Sequence, residues 1–507
     1  MKIKFSLGWN RVKPPHELYI GKDEFIQCSV LQNYICRDNK IKKIAGSNKY
    51  NSSVLANNIP WIKRSYHKQG DGSFVKRTLC FNNGVIYYGN DSLGTLTKIL
   101  SGFSTTALPS DMTIQVSGNS ILYFFTGNDT PYKYDGNASY TIEKSTLASN
   151  IISGIVHPDL ARAFYVKNNS SEIDYSETLE PENIADTIIV GNDKDSVNMA
   201  IVVGADGTLY IFKNNSIYQL YGRTSSTFQV RQVTAKYGLA SRRGIYPVGS
   251  GFVFLNEFDK ELYFFGGSES SIQSLTEKDI KLREIMNLTS DAVERVCMTV
   301  HDGLFRFSFQ HRESLIDANN CELVYATSEP RADGLPKWSL IKGSNVLCYS
   351  VWNEQGDSNE LLTGRSDMGA MMYQNRGLDF DGNAIETIVR TGEVTFSEDM
   401  VCNLLDIFIK AKPGSYNISP VFKYFLNGRF SDGGITSLSM KGETRDVGVI
   451  HLQKQSLFND RIVPLSNYRR GNSISFEISD NNNGTDLELY SIAFNVEKLY
   501  KIRNQYV

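Results

Sequence analysis

The chain has 507 residues, 41% of them hydrophobic, which is enough for two or three domains, or for one large repeat domain with an appendage. Its formal net charge of −2 lacks the Lys/Arg excess that a grip on nucleic acid requires. No run of about 18 apolar residues occurs, so a membrane-spanning helix and membrane anchor are not expected, and Met1–Asn10 has no apolar stretch of signal length, so the protein is expected to be made without Sec export.

The residue mix favours β structure. There are 27 Tyr, 27 Phe and 40 Gly against 13 Pro, and few Ala/Glu/Lys/Leu runs. The seven cysteines (Cys28, Cys36, Cys80, Cys297, Cys321, Cys348 and Cys402) are odd in number and form no Cys-x-x-Cys. Most sit in apolar strand-like runs, which reads as buried free thiols and assembly in a reducing cytoplasm.

Residues 1–60 read as an irregular arm with a first strand. Pro14-Pro15 and the Asn/Ser-rich stretch 47–58 are loops by composition. Glu24–Cys36 is strand material, although 24–32 also fits a short helix. From about 61 a rhythm sets in. Lys76–Phe81, Gly84–Tyr88 and Leu96–Leu100 form one unit, and Thr113–Val116, Ser120–Phe125, Pro131–Asp135 and Tyr140–Lys144 the next. A third spans Ile152–Val190. The fourth, 198–233, shows the pattern best: Ile201-Val202-Val203, a Gly204-Ala205-Asp206-Gly207 turn, Leu209–Lys213, Asn214-Asn215, then Ile217–Tyr221. Gly, Asn and Asp tolerate the positive φ of tight hairpin turns. A fifth unit covers Gly244–Leu275 and a sixth Val296–Ile341. A partial seventh, Val346–Tyr373, either closes the ring or belongs to the C-terminal region. Repeats of roughly 35–50 residues suit four-stranded blades. The expected fold is all-β, a β-propeller of six or seven blades over 61–384.

Between units five and six, 276–293 carries a helical rhythm (Ile280, Leu282, Ile285, Met286, Leu288, Val293) and is expected to hold one or two short helices. Beyond 385 the strands lengthen and lose the short period: Thr387–Phe396, Cys402–Lys410, Ile418–Leu426, Asp446–Leu452, Ser473–Ile478 and Asp486–Ala493, with an Asn427-Gly428 hairpin signal. This reads as a C-terminal β-sandwich over 385–507, ending in a charged tail, Glu497–Val507.

No chemistry-bearing motif stands out. The six histidines show no i, i+4 pair and no Cys at metal-ligand spacing, and His301-Asp302-Gly303 reads as a turn. Asp379-Phe380-Asp381-Gly382-Asn383 loosely resembles the start of a calcium loop, but its closing position falls on Arg390, where a bidentate Glu is needed. Asn481–Asp486 reads as a polar hairpin tip. No Gly-x-Ser-x-Gly, P-loop or dinucleotide fingerprint occurs. Arg242-Arg243 and Arg469-Arg470 are the nearest approach to basic patches, and each reads as a solvated face. The aromatic runs Leu122–Phe125 and Tyr263-Phe264-Phe265 offer a glycan-stacking surface, but alternation assigns them first to cores. No catalytic, cofactor-binding or metal residue is assigned.

Three segments carry a family likeness. They are Leu31–Ile35 with Ile41–Gly46; Tyr175-Ser176-Glu177-Thr178-Leu179-Glu180-Pro181-Glu182-Asn183-Ile184; and Leu209–Lys213 and Ser216-Ile217-Tyr218 followed by Tyr237-Gly238-Leu239-Ala240-Ser241-Arg242-Arg243 and Gly251–Leu255. With them the chain resembles the β-propeller tail hub, nozzle or DNA-stabilisation proteins of short-tailed bacteriophages. The resemblance implies a structural virion protein, assembled in the host cytoplasm and resident in the tail, with no enzymatic activity and no cofactor. It implies a homo-oligomeric, commonly sixfold, ring below the portal and adaptor, contacts with other tail proteins and fibres, and transient passage of genomic DNA. Two other classes stay open. A receptor- or glycan-binding tail-tip adhesin would show exposed aromatics at one propeller mouth, and a propeller hydrolase would show a funnel of carboxylates there.

Overall fold

A computed structural model describes residues 2–13, 18–20, 25–38, 40–191, 196–222, 224, 226–351, 360–395, 400–413, 420–426, 429–437, 449–450, 470–471, 473–482 and 487–501. Seven units of four antiparallel strands succeed one another as propeller blades. Blade one is Trp61–Lys68, Phe74–Asn82, Val85–Asn90 and Thr95–Ser101; blade two is Ser110–Val116, Asn119–Phe125, Tyr132–Tyr134 and Glu143–Lys144. Blade three is Ile151–His157, Arg162–Lys167, Glu172–Glu177 and Glu180–Ile189; blade four is Asn198–Val203, Leu209–Lys213, Ile217–Tyr221 and Gln229–Thr234. Blade five is Ile245–Val248, Gly251–Leu255, Leu262–Phe265 and Gln273–Ser274; blade six is Cys297–His301, Leu304–Phe309, Cys321–Ala326 and Ser339–Lys342.

The turns explain why the sequence breaks where it does. Asn83-Gly84 and Asp302-Gly303 link neighbouring strands with positive φ at both residues, the conformation that matches strand twist in a two-residue hairpin. In blade four, Gly204 N–H donates to the Thr208 carbonyl at 2.7 Å, and Asp206 accepts the Thr208 N–H at 3.0 Å.

The aromatic side chains lie between blades, where each sheet buries its face on the next. Trp61 meets Phe124 at 4.9 Å across blades one and two, and Phe125 meets Tyr165 at 6.1 Å across two and three. Tyr175 and Phe164 hold Phe228 at 5.1 and 5.8 Å, and Phe212 meets Phe254 at 5.4 Å across four and five. Most are edge-to-face or tilted, worth about 0.5–1.5 kcal/mol each beyond buried area.

The partial seventh unit closes the ring. Val346–Val351, Leu361–Arg365 and Met371–Gln374 take their fourth strand from Ser47–Lys49, which pairs antiparallel with Met371–Gln374. The blade count is therefore seven, and 47–49 is a strand although its composition reads as loop. Three residues are too short for a periodic signal, and the partner lies over 300 residues away. A Cβ on Gly46, which leads into this strand, would lie 1.9 Å from the Asp379 carbonyl oxygen, so only glycine fits.

The N-terminal residues are equally bound into the second unit. Lys2–Trp9 pairs with Leu487–Lys501, Phe25–Gln32 with Thr387–Thr391, and Lys40–Lys43 with Leu487–Lys501. Phe25–Gln32 is a strand and not the alternative helix. Two layers form a sandwich. One holds Thr387–Thr391, Ser473–Asp480 and Val421–Leu426, the other Met400–Pro413 and Leu487–Lys501, with Phe476 and Phe494 at 5.7 Å. The expected arm at 1–60 thus divides between sandwich and ring, and 497–501, expected as tail, is strand; 502–507 lie outside the described residues. So do Pro14-Pro15, Asn427-Gly428, Arg469 and most of 446–452.

Blade six and the sandwich share one sheet. Gln32 pairs parallel with Leu340 in the outer strand of blade six, so strands run without a break from ring centre to sandwich. A buried core joins Trp338 and Phe305 of blade six to Leu31, Tyr34, Ile478 and Phe494. The insertion 276–296 packs into that core. Only Leu282–Glu284 (3-10) and Ser290–Glu294 (α) are helical, because buried Glu261 captures the turn instead. Its carboxylate accepts from Thr276 Oγ1 at 2.6 Å and from the N–H groups of Leu282 and Arg283 at 2.9 and 3.3 Å.

Candidate functional site

The first strands of the blades pack side by side around the ring, and the segments that enter them converge at one end. There they meet loops joining second to third strands, Thr126–Asn128, Asn168-Asn169 and Ser366-Asp367, and form the mouth of the ring. It contains two hollows, of about 260 and 710 Å³, which share Thr106, Ala107, Leu108 and Glu294.

Arg242 lines the smaller hollow, with Arg243 next to it in the chain. They are not a solvated face. Arg242 Nη2 donates to the Leu108 carbonyl at 2.7 Å, and Arg243 Nη2 donates to the Leu347 carbonyl. The loop between blades four and five thus reaches blades two and seven, spanning the ring like spokes. Burial, with Arg243 alongside, holds the Arg242 guanidinium below the usual arginine range, and Glu294 opposes the shift. Among the described residues neither arginine forms an ion pair, whereas neighbouring Arg295 is matched by Asp317 and Arg365 by Asp367.

Local sequence sets the spokes. A Cβ on Gly238 would lie 2.1 Å from the Asn214 carbonyl oxygen, so the loop can enter only with glycine. Leu239 is buried, its N–H donating to the Lys213 carbonyl at 2.8 Å, and Ala240 N–H donates to the Leu255 carbonyl at 2.9 Å. Arg242-Arg243 then emerge at the mouth. The signal in the sequence was the charged pair after Tyr237-Gly238-Leu239-Ala240-Ser241; what it lacked was the reach across the ring.

The second likeness segment is a staple between blades. Glu182 accepts from Lys133 Nζ at 2.7 Å, Tyr123 OH at 3.0 Å, and Thr146 N–H and Oγ1 at 2.8 and 3.0 Å. The Pro181 carbonyl accepts from buried Tyr165 OH at 2.6 Å. Burial works against the carboxylate, but these donors bring its pKa down to about 2.

The other candidate residues fall elsewhere. His301 is buried beside the Asp302-Gly303 turn of blade six, and Asp302 lies 3.6 Å from Arg37. In Asp379–Asn383, Asp381 pairs with Lys49 at 2.9 Å and Asp379 accepts the Gly382 N–H at 2.8 Å, so this is a turn beside the closing strand. Asn482 donates to Asp480, while 483–486 lie outside the described residues. Among the described residues no group of His, Cys, Asp and Glu is placed to hold a metal ion. Leu122–Phe125 is buried, and of Tyr263-Phe264-Phe265 only Phe264 is half-buried, so these aromatics are core. Ser65 Oγ lies 2.9 Å from His67 Nε2, whose Nδ1 faces the Ser120 carbonyl at 3.2 Å. His67 is fully buried, and a Cβ on Gly136 would come within 2.4 Å of it, so the pair is sealed from substrate. Six cysteines, all but Cys402, are free and buried.

Comparison with known proteins adds a likeness of fold. No family model matches the chain. No curated protein matches it. Among solved structures it is similar to streptogramin B lyase, at 14% identity and TM-score 0.40, over 65% of this chain and 97% of that one. It is similar to the β-propeller domain of Cps50 (Swd1) from Myceliophteria thermophila, at 8% identity and TM-score 0.41, over 65% and 99%. It is also similar to a chain of the mitotic checkpoint complex, at 14% identity and TM-score 0.41, over 64% and 93%. The assignment as a propeller rests on the seven blades themselves.

Proposed function

We propose that the chain is a structural subunit of a phage tail, a hub or nozzle protein that assembles into a ring around the DNA exit path and carries other tail proteins. The observation that carries this reading is the continuous sheet from blade six into the sandwich. A propeller and platform joined by strand pairing, a shared core and the buried Lys43–Asp480 pair form one continuous body, the kind of part a load-transmitting ring requires. The likeness segments support it in their own terms: Gly46 admits the closing strand, Glu182 staples blades, and Gly238 admits the spokes. The spokes cross the propeller's mouth, so the DNA path of this reading runs between subunits. A near-neutral chain would let the polyanion pass without trapping it.

Negative-stain imaging of the purified protein tests the reading. Rings of several subunits around an open bore are expected. Tight binding to duplex DNA at physiological salt would count against it.

A further inference from the structure

Charge is unevenly shared among the blades. Residues 61–101, blade one, hold six Lys/Arg and two Asp/Glu, a net of +4; residues 151–189, blade three, hold two Lys/Arg and seven Asp/Glu, a net of −5. No other blade is as basic as the first or as acidic as the third. The same two blades carry the longest outer strands. Thr95–Ser101 has seven residues and Glu180–Ile189 has ten, against two to six in the other five blades. Among the described residues each pairs on one side only, which leaves a row of backbone N–H and C=O groups without a strand partner. The outer strand of blade six, by contrast, is met by Gln32.

Exposed apolar side chains mark both edges. Leu93, 68% exposed, stands with Phe74 on blade one; Ile189, 66% exposed, stands with Leu179 and Ile184 on blade three. Lys98 on the first edge, and Glu180 and Asp186 on the second, are exposed and form no ion pair with described residues. Two copies of the Lys98 edge repel each other, as do two copies of the Glu180–Asp186 edge, while one of each attracts. That pattern disfavours a two-fold pairing of like edges and selects a head-to-tail contact, the kind that closes into rings. Leu93 and Leu179 both sit in the hairpin that leads into the outer strand, at the same end of the propeller. A neighbour turned about an axis parallel to the propeller's own therefore brings the two leucines level, and Lys98 between Glu180 and Asp186.

We propose that these edges are the contact between neighbouring copies of this chain: the outer strand of blade one, Thr95–Ser101, docks on that of blade three, Glu180–Ile189, in the next copy. The inference rests on the ring-forming reading above and names the surface through which the ring is built. Blades one and three lie two-sevenths of a turn apart, near the third of a turn that separates the two neighbours of each subunit in a sixfold ring. Blade two, between them, then faces the bore, and blade six with the sandwich faces out, free to carry other proteins. With two Lys/Arg against four Asp/Glu over 110–144, blade two presents no excess of positive charge to a passing polyanion.

Charge reversal in the full-length protein tests this, read by light scattering over a dilution series with negative-stain imaging. The wild-type chain is expected to form rings. Lys98→Glu, and separately Glu180→Lys with Asp186→Lys, are each expected to raise the concentration at which rings come apart about tenfold or more. All three substitutions in one chain restore opposite charges and are expected to recover most of that loss. The three positions are exposed, so the thermal unfolding midpoint of the dissociated chain should stay unchanged, and recovery in the triple variant separates a charge effect from a folding defect. Wild-type rings that withstand both reversals undiminished overturn this contact and leave the ring reading standing. A dimer broken by one of the two reversals and untouched by the other overturns it in favour of like-edge pairing. No oligomer of the wild-type chain at any concentration overturns the ring reading, and this contact with it.

Discussion

Replacing Lys43 tests whether the two ends of the chain are locked together. Lys43 Nζ lies 3.0 Å from Asp480 Oδ2, both side chains are fully buried, and the pair joins an N-terminal strand to one 437 residues away. Lys43→Met keeps the volume and removes the charge. Asp480 retains Asn482 as a donor on its other oxygen, but loses the buried ammonium 3.0 Å from its Oδ2. Breaking a buried pair from one side costs about 3–5 kcal/mol, whereas replacing both members with apolar residues is near neutral. Lys43→Met should therefore lose about 3–5 kcal/mol, and Lys43→Met with Asp480→Leu should recover most of it. Lys42→Met, at a half-exposed lysine 3.7 Å from Glu488, should lose under about 1 kcal/mol. Urea denaturation, read as midpoint shifts at constant slope, measures all three. A loss below about 1 kcal/mol for Lys43→Met, equal to that of Lys42→Met, would refute the reasoning and free the N-terminal strands from the sandwich.

Other sites give further expected outcomes. Glu182, with its pKa at about 2 against an ordinary 4.5, contributes stability that is present above pH 4.5 and lost as pH falls through about 2; Glu182→Gln should cost about 1 kcal/mol after solvent screening and flatten the acid-unfolding curve in that window. Burial holds His67 below the usual histidine range, so its imidazole should be neutral by NMR at pH 6.5; stability is full above the unfolded pKa of about 6.5 and falls as pH drops toward the folded value. Gly238→Ala must displace the Asn214 backbone and should cost about 1–3 kcal/mol in denaturant melts. Burial raises the thiols of Cys36, Cys321 and Cys348 to about 12 and those of Cys28, Cys80 and Cys297 further, so these six should resist a thiol reagent until the protein unfolds.

Legibility in the sequence depended on locality. Leu209–Lys213 and Ile217–Tyr221 announce themselves because alternation and an Asn-Asn turn lie within a dozen residues, and six blades are built that way. The seventh is not, since its outer strand, Ser47–Lys49, is three residues paired with Met371–Gln374. The pairing of the N-terminal strands was hidden for the same reason: their partners lie at 387–391 and 487–501. In the insertion, Ile280, Leu282, Ile285 and Met286 recur at helical spacing because they all face one core, while Glu261 ties the backbone into a turn. At the mouth, Arg242-Arg243 could be noticed but not placed, because its carbonyl partners, Leu108 and Leu347, lie on blades over 100 residues away in either direction.

The most direct test of the proposed function is the mass of the purified protein in solution, by light scattering over a wide concentration range. A ring-forming tail subunit predicts a discrete species near six times the 57.0 kDa chain, persisting on dilution. A strict monomer at every concentration would contradict it.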